Sequence, residues 1–234
     1  MQKPTAEAWI DRREVLAGLA SALVPAALRA QDASDAAVSN GRGVSPFDLE
    51  RFIDDCRIAN READAQRAVE DVVTRAIASP SGVLEALGPP QQAGIQTLHR
   101  SAGLTILNIV WAPLMQLMPH EHRMWAVSGI YTGREDNILW RRARGSIGAR
   151  GAVSFASGEV VSMPDDAIHS VANPIDRFTG AIHIYGGDFF ATPRSEWDPG
   201  THEEQPWSLE KAQRIFAESN ARFAGATAGN CARW

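Results

Sequence analysis

From residue 96 to 191 the sequence is a succession of short apolar or β-branched runs, each closed by turn residues. They begin with a run over 104–111 and "MWAVSGIYTG", which ends at Gly133. "NILWRRA", "GAVSFASG", "EVVSMP", "HSVANP" and "GAIHIYGGDFFA" follow. Strand-length runs at this spacing, with Gly, Pro, Asn and Asp between them, predict an all-β barrel or sandwich. No internal repeat or low-complexity tract interrupts the pattern.

Helical periodicity is confined to the flanks. Residues 46–95 read as small helices. The first starts at Pro46 with Ser45 as N-cap and carries Leu49, Phe52, Ile53 and Cys56 on one face. The second, about 62–78, aligns Ala65, Val69, Val72, Val73 and Ala76. "VLEALG" makes a short third, closed by Gly88 and stopped by Pro89 and Pro90. The barrel is assigned to 96–200. The tail, 201–234, holds a C-terminal helix opened by Ser208.

At the start of the chain, Arg12 and Arg13 precede an apolar run over 15–28 and small residues that suit a cut after Ala30. The run is too short to span a bilayer. It resembles bacterial twin-arginine export signals, so residues 1–30 are expected to direct the protein to the periplasm, leaving no membrane span in the mature form. The alternative is an amphipathic helix of a cytoplasmic protein. Residues 31–45 are small and polar and read as a linker. The net charge of -5 offers no basic surface for nucleic acid, and none is expected as a partner. Arg141, Arg142 and Arg144 read as a solvated strand end near the acidic Glu135 and Asp136. Cys56 and Cys231 show no CxxC spacing, so neither a disulfide framework nor a cysteine metal site is indicated.

His120 and His122 stand at i and i+2 in "PHEHRMW". On a strand such a pair points to one face, and Glu121 between them to the other. Farther on, "GEVVSMPDDAIHSVAN" sets Gly158, Pro164, His169 and Asn173 at G-x5-P-x4-H-x3-N. This resembles the second motif of the cupin superfamily, small double-stranded β-helix barrels. "LMQLMPHEHRMWAVSGIYTG" resembles the first. Leu114 stands where the first motif has its leading glycine, and Asp166 where the second has one. The resemblance implies that neighbouring strands bring His169 beside His120 and His122 as ligands of a divalent metal. Many cupins add a glutamate ligand a few residues past the histidine pair. Here Arg123, Met124, Trp125, Ala126 and Val127 supply no carboxylate. A neutral three-His set leaves the full 2+ charge on the ion and favours an anionic ligand such as a thiolate.

Over about residues 46–200 the chain resembles the cysteine dioxygenase-like thiol dioxygenases, a three-His family. "HEHRMWAVSGIYTGREDN" is close to the bacterial H-D-H-x-x-W-x-x-x-G pattern, with Trp125 and Gly129 in place. "GAIHIYGGD" resembles the S-x-H-x-Y segment, with His183 and Tyr185 at the outer-sphere positions and Ala181 in place of the serine. The resemblance implies Fe(II) as cofactor, a small thiol and O2 as partners, and a sulfinic acid as product. It gives Tyr185 a hydrogen bond to substrate or oxygen and His183 the task of holding Tyr185. It makes Trp125 a pocket wall and Arg100 a clamp for a substrate carboxylate. No cysteine lies near the histidine pair, so the Cys–Tyr cross-link of the animal enzymes is not expected. Ala181 and the Gly186-Gly187-Asp188 stretch point to a thiol other than cysteine. Two other readings compete: a different metal-dependent cupin enzyme, and a ligand-binding barrel without turnover.

Overall fold

A computed structural model of the chain describes residues 47–231. The expected export signal and linker lie outside the described residues. Among the described residues no helix is long and apolar enough to cross a membrane.

Among the described residues three helices come first: α1 (Leu49–Ala59), α2 (Ala65–Ile77) and α3 (Pro80–Leu87). The first starts later than expected. Asp48, not Ser45, is its N-cap, and its carboxylate accepts the Arg51 backbone N–H at 2.9 Å. Asp64 does the same for α2, accepting from Arg67 N at 3.2 Å, so Glu62 stays outside that helix. Pro80 opens α3, and Gly88 closes it at φ +79°.

Eleven strands follow: β1 (Gly94–Arg100), β2 (Thr105–Trp111), β3 (Gln116–Glu121), β4 (Ala126–Thr132), β5 (Arg134–Ala143), β6 (Ser146–Ala156), β7 (Val160–Met163), β8 (Ile168–Ala172), β9 (Thr179–Tyr185), β10 (Ser195–Trp197) and β11 (Glu204–Pro206). One sheet has the order β1-β2-β9-β4-β7, the other β11-β10-β3-β8-β5-β6. The pairs are nested: β2 with β9, β3 with β8, β4 with β7 and β5 with β6, all antiparallel. This is one long hairpin coiled on itself, the wiring of a jelly roll or double-stranded β-helix. The mainly-β barrel expected from the run spacing is what the chain forms.

Two apolar layers flank the five-stranded sheet. Inside the barrel, Leu107, Ile109, Trp111, Leu117, Val171 and Tyr185 pack together. On the outer face, Ile106, Val127, Ile182 and Ile184 meet Phe52, Val69, Val73 and Ile77 of the helices. Strands β2 and β9 are therefore buried along their whole length, which is why they read as unbroken apolar runs. Each fully buried aliphatic side chain of this layer contributes about 1.5–3 kcal/mol.

The C-terminal helix, α4 (Leu209–Cys231), belongs to the barrel. Ser208 Oγ accepts the Lys211 backbone N–H at 3.1 Å, as an N-cap does. Buried Glu196 on β10 accepts from Lys211 Nζ at 2.6 Å and from Ser208 N at 3.2 Å. Ala212 and Phe216 enter the interior cluster, with the Phe216 ring stacked on Trp111 at 5.4 Å. Asn220 exchanges two hydrogen bonds with the backbone of Ala93. The helix closes one side of the interior.

Candidate metal centre

His120 lies on β3 directly across from His169 on β8. His122 lies just beyond the end of β3, before Arg123, whose φ is +60°. All three imidazoles are buried, each 4% exposed. Their ligating nitrogens lie within 4.8 Å of one another. His122 Nε2 is 3.3 Å from both His120 Nε2 and His169 Nε2.

The outer nitrogens fix the tautomers. His120 Nδ1 is 2.9 Å from the Met118 carbonyl oxygen, which can only accept. His169 Nδ1 is 2.7 Å from Asn137 Oδ1; the amide nitrogen of Asn137 donates to Glu135 Oε1 at 3.0 Å, which sets its orientation. Both Nδ1 atoms therefore carry the proton, and both Nε2 atoms present bare lone pairs to the centre. His122 has one proton to place and can satisfy at most one of them; its Nδ1 has no hydrogen-bond partner. Burial holds His120 down to about 4 and His122 and His169 well below the ordinary histidine value, so the rings are neutral. Three neutral rings with converging lone pairs suit a cation. Two nitrogens bound at about 2.1 Å to one ion, at 90–110°, stand about 3.0–3.4 Å apart, which matches the 3.3 Å seen here. The residues fit a divalent metal.

Glu121 faces away from the cluster, as alternation predicts. Its carboxylate takes Arg123 Nε at 2.6 Å, Arg142 Nη2 at 2.9 Å and Ser195 N at 3.2 Å.

A cavity of about 20 Å³ adjoins the three histidines, lined also by His183, Tyr185 and Phe189. The Tyr185 ring stands edge-on to His122, 4.9 Å between centroids. His183 and Tyr185 lie in parallel, 6.2 Å apart. His183 Nδ1 is 2.7 Å from Ser128 Oγ on β4, and its Nε2 is 3.7 Å from Glu135 Oε2. Ser128, directly across from His183 in the sheet register, supplies a hydroxyl that Ala181 lacks. Glu135 is 1% exposed and accepts from Trp111 Nε1 at 3.1 Å. Burial, partly offset by the Asn137 and Trp111 hydrogen bonds, raises its carboxyl to about 7.

No family model matches the chain. Among solved structures it is similar to a RmlC-like cupin family protein with a double-stranded β-helix fold from Methanocaldococcus jannaschii, at 13% identity over 44% of this chain and 86% of the other, TM-score 0.38. It is also similar to a cupin superfamily protein from Desulfitobacterium hafniense DCB-2, at 15% identity over 45% and 88%, TM-score 0.36. A Cupin 2 conserved barrel domain protein from Salinispora arenicola CNS-205 matches at 23% identity over 40% and 74%, TM-score 0.33. These neighbours are cupins.

Two predicted site residues are not brought to the cluster. Arg100 is spent on Asp188, with Nε and Nη2 each 3.0 Å from a carboxylate oxygen, and its side chain is 48% exposed. It is not among the residues that line the cavity. Trp125 packs in the helix-side layer, against the face of the sheet opposite the histidines. Three residues around the site escaped the sequence reading: Ser128, Glu135 and Asn137. For Glu135 and Asn137 a signal existed. They are two apart on one strand, so both turn inward while Arg134 and Asp136 pair with each other outside.

Proposed function

We propose that His120, His122 and His169 hold Fe(II), and that the protein is a dioxygenase adding both atoms of O2 to the sulfur of a small thiol to give a sulfinic acid. The observation that carries this reading is the donor set: three neutral imidazoles with no carboxylate among them. Such a set leaves the charge of the ion uncompensated and favours a thiolate. Bound there, Fe(II) would supply the redox chemistry that joins O2 to sulfur.

The surrounding side chains then have definite tasks. Met118 O and Asn137 Oδ1 hold the Nδ1 protons of His120 and His169 and so keep the Nε2 lone pairs directed inward. Burial pushes the Tyr185 phenol up, so it keeps its proton and acts as a hydrogen-bond donor toward substrate. Burial holds His183 down to about 3 and therefore neutral. Ser128 and Glu135 orient that ring from its two sides. Trp111, Phe189, Trp207 and Phe216 line the cavity and exclude water. Export to the periplasm through residues 1–30 remains part of the proposal, and N-terminal sequencing of the mature protein tests it by a start near Gln31.

Oxygen uptake by the Fe(II)-reconstituted protein against a panel of small thiols tests the reaction. The expected result is thiol-dependent uptake with a sulfinate product, lost in His169→Ala together with the metal. Bound metal without uptake on any thiol would turn the reading toward a different cupin enzyme.

A further inference from the structure

Among the described residues the buried carboxyl side chains are Glu121, Glu135 and Glu196. Two of them are matched by cations. Glu121 holds Arg123 and Arg142 at 2.6 and 2.9 Å, and Glu196 holds Lys211 at 2.6 Å. Glu135 meets no arginine or lysine among the described residues. Its ionisable neighbour is His183, 3.7 Å away and held neutral by burial. A buried carboxylate without a cation is costly, and burial accordingly raises this carboxyl to about 7.

The groups around Glu135 are nevertheless arranged for its charged form. Trp111 Nε1 donates to Oε2 at 3.1 Å, and Asn137 Nδ2 donates to Oε1 at 3.0 Å. A carboxylate accepts from both, whereas the O–H of a neutral carboxyl needs an acceptor. Among the described residues His183 Nε2 is the candidate acceptor. At 3.7 Å it lies beyond hydrogen-bond length, and it has no other partner. The remaining surroundings bring no compensating charge. β6 places Phe155 directly across, and β2 brings the Trp111 indole. β9 adds Tyr185, whose phenol burial pushes up and keeps protonated. β8 adds the neutral His169, through Asn137. The Arg194 guanidinium acts on His120, His122 and Tyr185 instead.

What the carboxylate form lacks is a cation, and the three histidines are built to hold one. They supply no negative charge of their own, so a 2+ ion there is left uncompensated by its ligands. Asn137 joins the two sites. His169 Nδ1–H donates to Asn137 Oδ1 at 2.7 Å, and the amide nitrogen donates on to Glu135. Successive hydrogen bonds polarise one another. Positive charge at His169 Nε2 strengthens the Nδ1 donor, and negative charge on Glu135 makes the ring a better ligand. Each charge stabilises the other across one amide.

We propose that Glu135 is the counter-charge of this centre: neutral in the metal-free protein, it releases its proton to solvent when the three histidines take a divalent metal, and its carboxylate then balances the ion from behind Asn137. The inference rests on the metal reading of the three histidines. One 2+ ion enters and one proton leaves, so the barrel interior gains one positive charge rather than two. The carboxylate that the ligand set lacks is supplied one layer farther out.

The test is anaerobic titration calorimetry of the metal-free full chain with Fe(II) at pH 6.5, repeated in buffers of different ionisation enthalpy to count the protons released. Wild type should release roughly three-quarters of a proton more than Glu135→Gln, the share of a carboxyl at about 7 that is still protonated at that pH. At pH 8.5 the difference should vanish. Wild-type affinity should rise about fivefold from pH 6 to pH 7 and level off above 8, while that of Glu135→Gln stays flat. A residue that only supports Asn137 would weaken binding at every pH and leave the proton count unchanged. If the variant does not fold, infrared difference spectra of the wild type decide. Loss of a protonated-carboxyl band on adding Fe(II) supports the counter-charge, and its persistence overturns it. Equal proton counts in folded wild type and variant overturn the counter-charge and leave the three-histidine reading intact. Failure of Fe(II) to bind the wild type, or binding that survives in His169→Ala, overturns both.

Discussion

Asn137 Oδ1 lies 2.7 Å from His169 Nδ1, while the amide nitrogen of the same side chain donates to Glu135 at 3.0 Å. One neutral amide thus joins a candidate metal ligand to a buried carboxyl. Removing it frees the His169 ring to turn and to change tautomer. Asn137→Ala should weaken divalent metal binding about 10–100-fold, the usual effect of losing an outer partner of a ligating histidine. Competition against a chromogenic chelator reads this directly. Unchanged affinity would mean that His169 is held by packing alone.

Glu135 gives a pH signature of definite sign. Burial raises its carboxyl from 4.5 to about 7. Below about 4.5 both folded and unfolded chains hold the proton, and the group is neutral to stability. Between about 4.5 and 7 the unfolded chain releases it while the folded chain keeps it, so this contribution falls as pH rises and then levels off. His120 and His183, lowered to about 4 and about 3, act in the opposite sense. Their contribution is present above about 6.5 and is lost as pH falls. The difference between wild type and Glu135→Gln isolates the carboxyl. Urea midpoints for the metal-free proteins from pH 4.5 to 7.5 should show the variant gaining relative to wild type as pH rises. Parallel curves would mean that Glu135 is already ionised in the fold.

The residues that were legible in the sequence are those whose neighbours are close in the chain. The strand runs could be read because turn residues separate them. His120, His122 and His169 could be read because two motifs hold them at fixed spacing. Residues that depend on distant segments could not. Arg100 is engaged by Asp188, 88 residues farther along the chain, and nothing local to the arginine encodes that. Glu135 sits between the charged Arg134 and Asp136, which hides it in a charged stretch, yet the alternation of β5 turns it inward. Ser45 and Asp48 are both capping residue types three positions apart, and only the backbone decides which one caps. The periodicity of α4 marked a helix without saying that Phe216 would stack on Trp111.

Gly129 marks where α2 presses on the barrel. A Cβ at this position would lie 2.4 Å from Ile77 Cγ1 and 2.7 Å from Val73 Cγ1. Both are buried branched side chains with little rotameric freedom, so the helix itself must move away. Gly129→Ala should destabilise the fold by about 1–3 kcal/mol, the range for overpacking a tight core. Chemical denaturation measures it. The metal should still bind, because Gly129 is on the face of β4 opposite Ser128.

Leu114 occupies the turn before β3 with φ +56°, the left-handed region in which glycine is at ease, and the residue is 66% exposed. This is the position where the resembling motif carries a glycine, and the chain keeps the turn with a leucine. The leucine Cβ is strained there by roughly 1–2 kcal/mol, and an exposed side chain gives little packing in return. A glycine would remove the strain, at the expense of a more flexible unfolded chain that offsets up to about 1 kcal/mol. Leu114→Gly should therefore leave stability unchanged or raise it by up to about 1 kcal/mol, read as an upward shift of the denaturation midpoint. The backbone on either side is held from elsewhere: Leu114 N donates to Ile175 O at 3.1 Å, and Asn173 N donates to Met115 O at 2.9 Å. Because those bonds do not involve the side chain, the approach to His120 should keep its geometry and metal affinity should not change. A loss of more than about 1 kcal/mol would show instead that the Leu114 side chain is covered in the working protein, and a search for what covers it would begin at that turn.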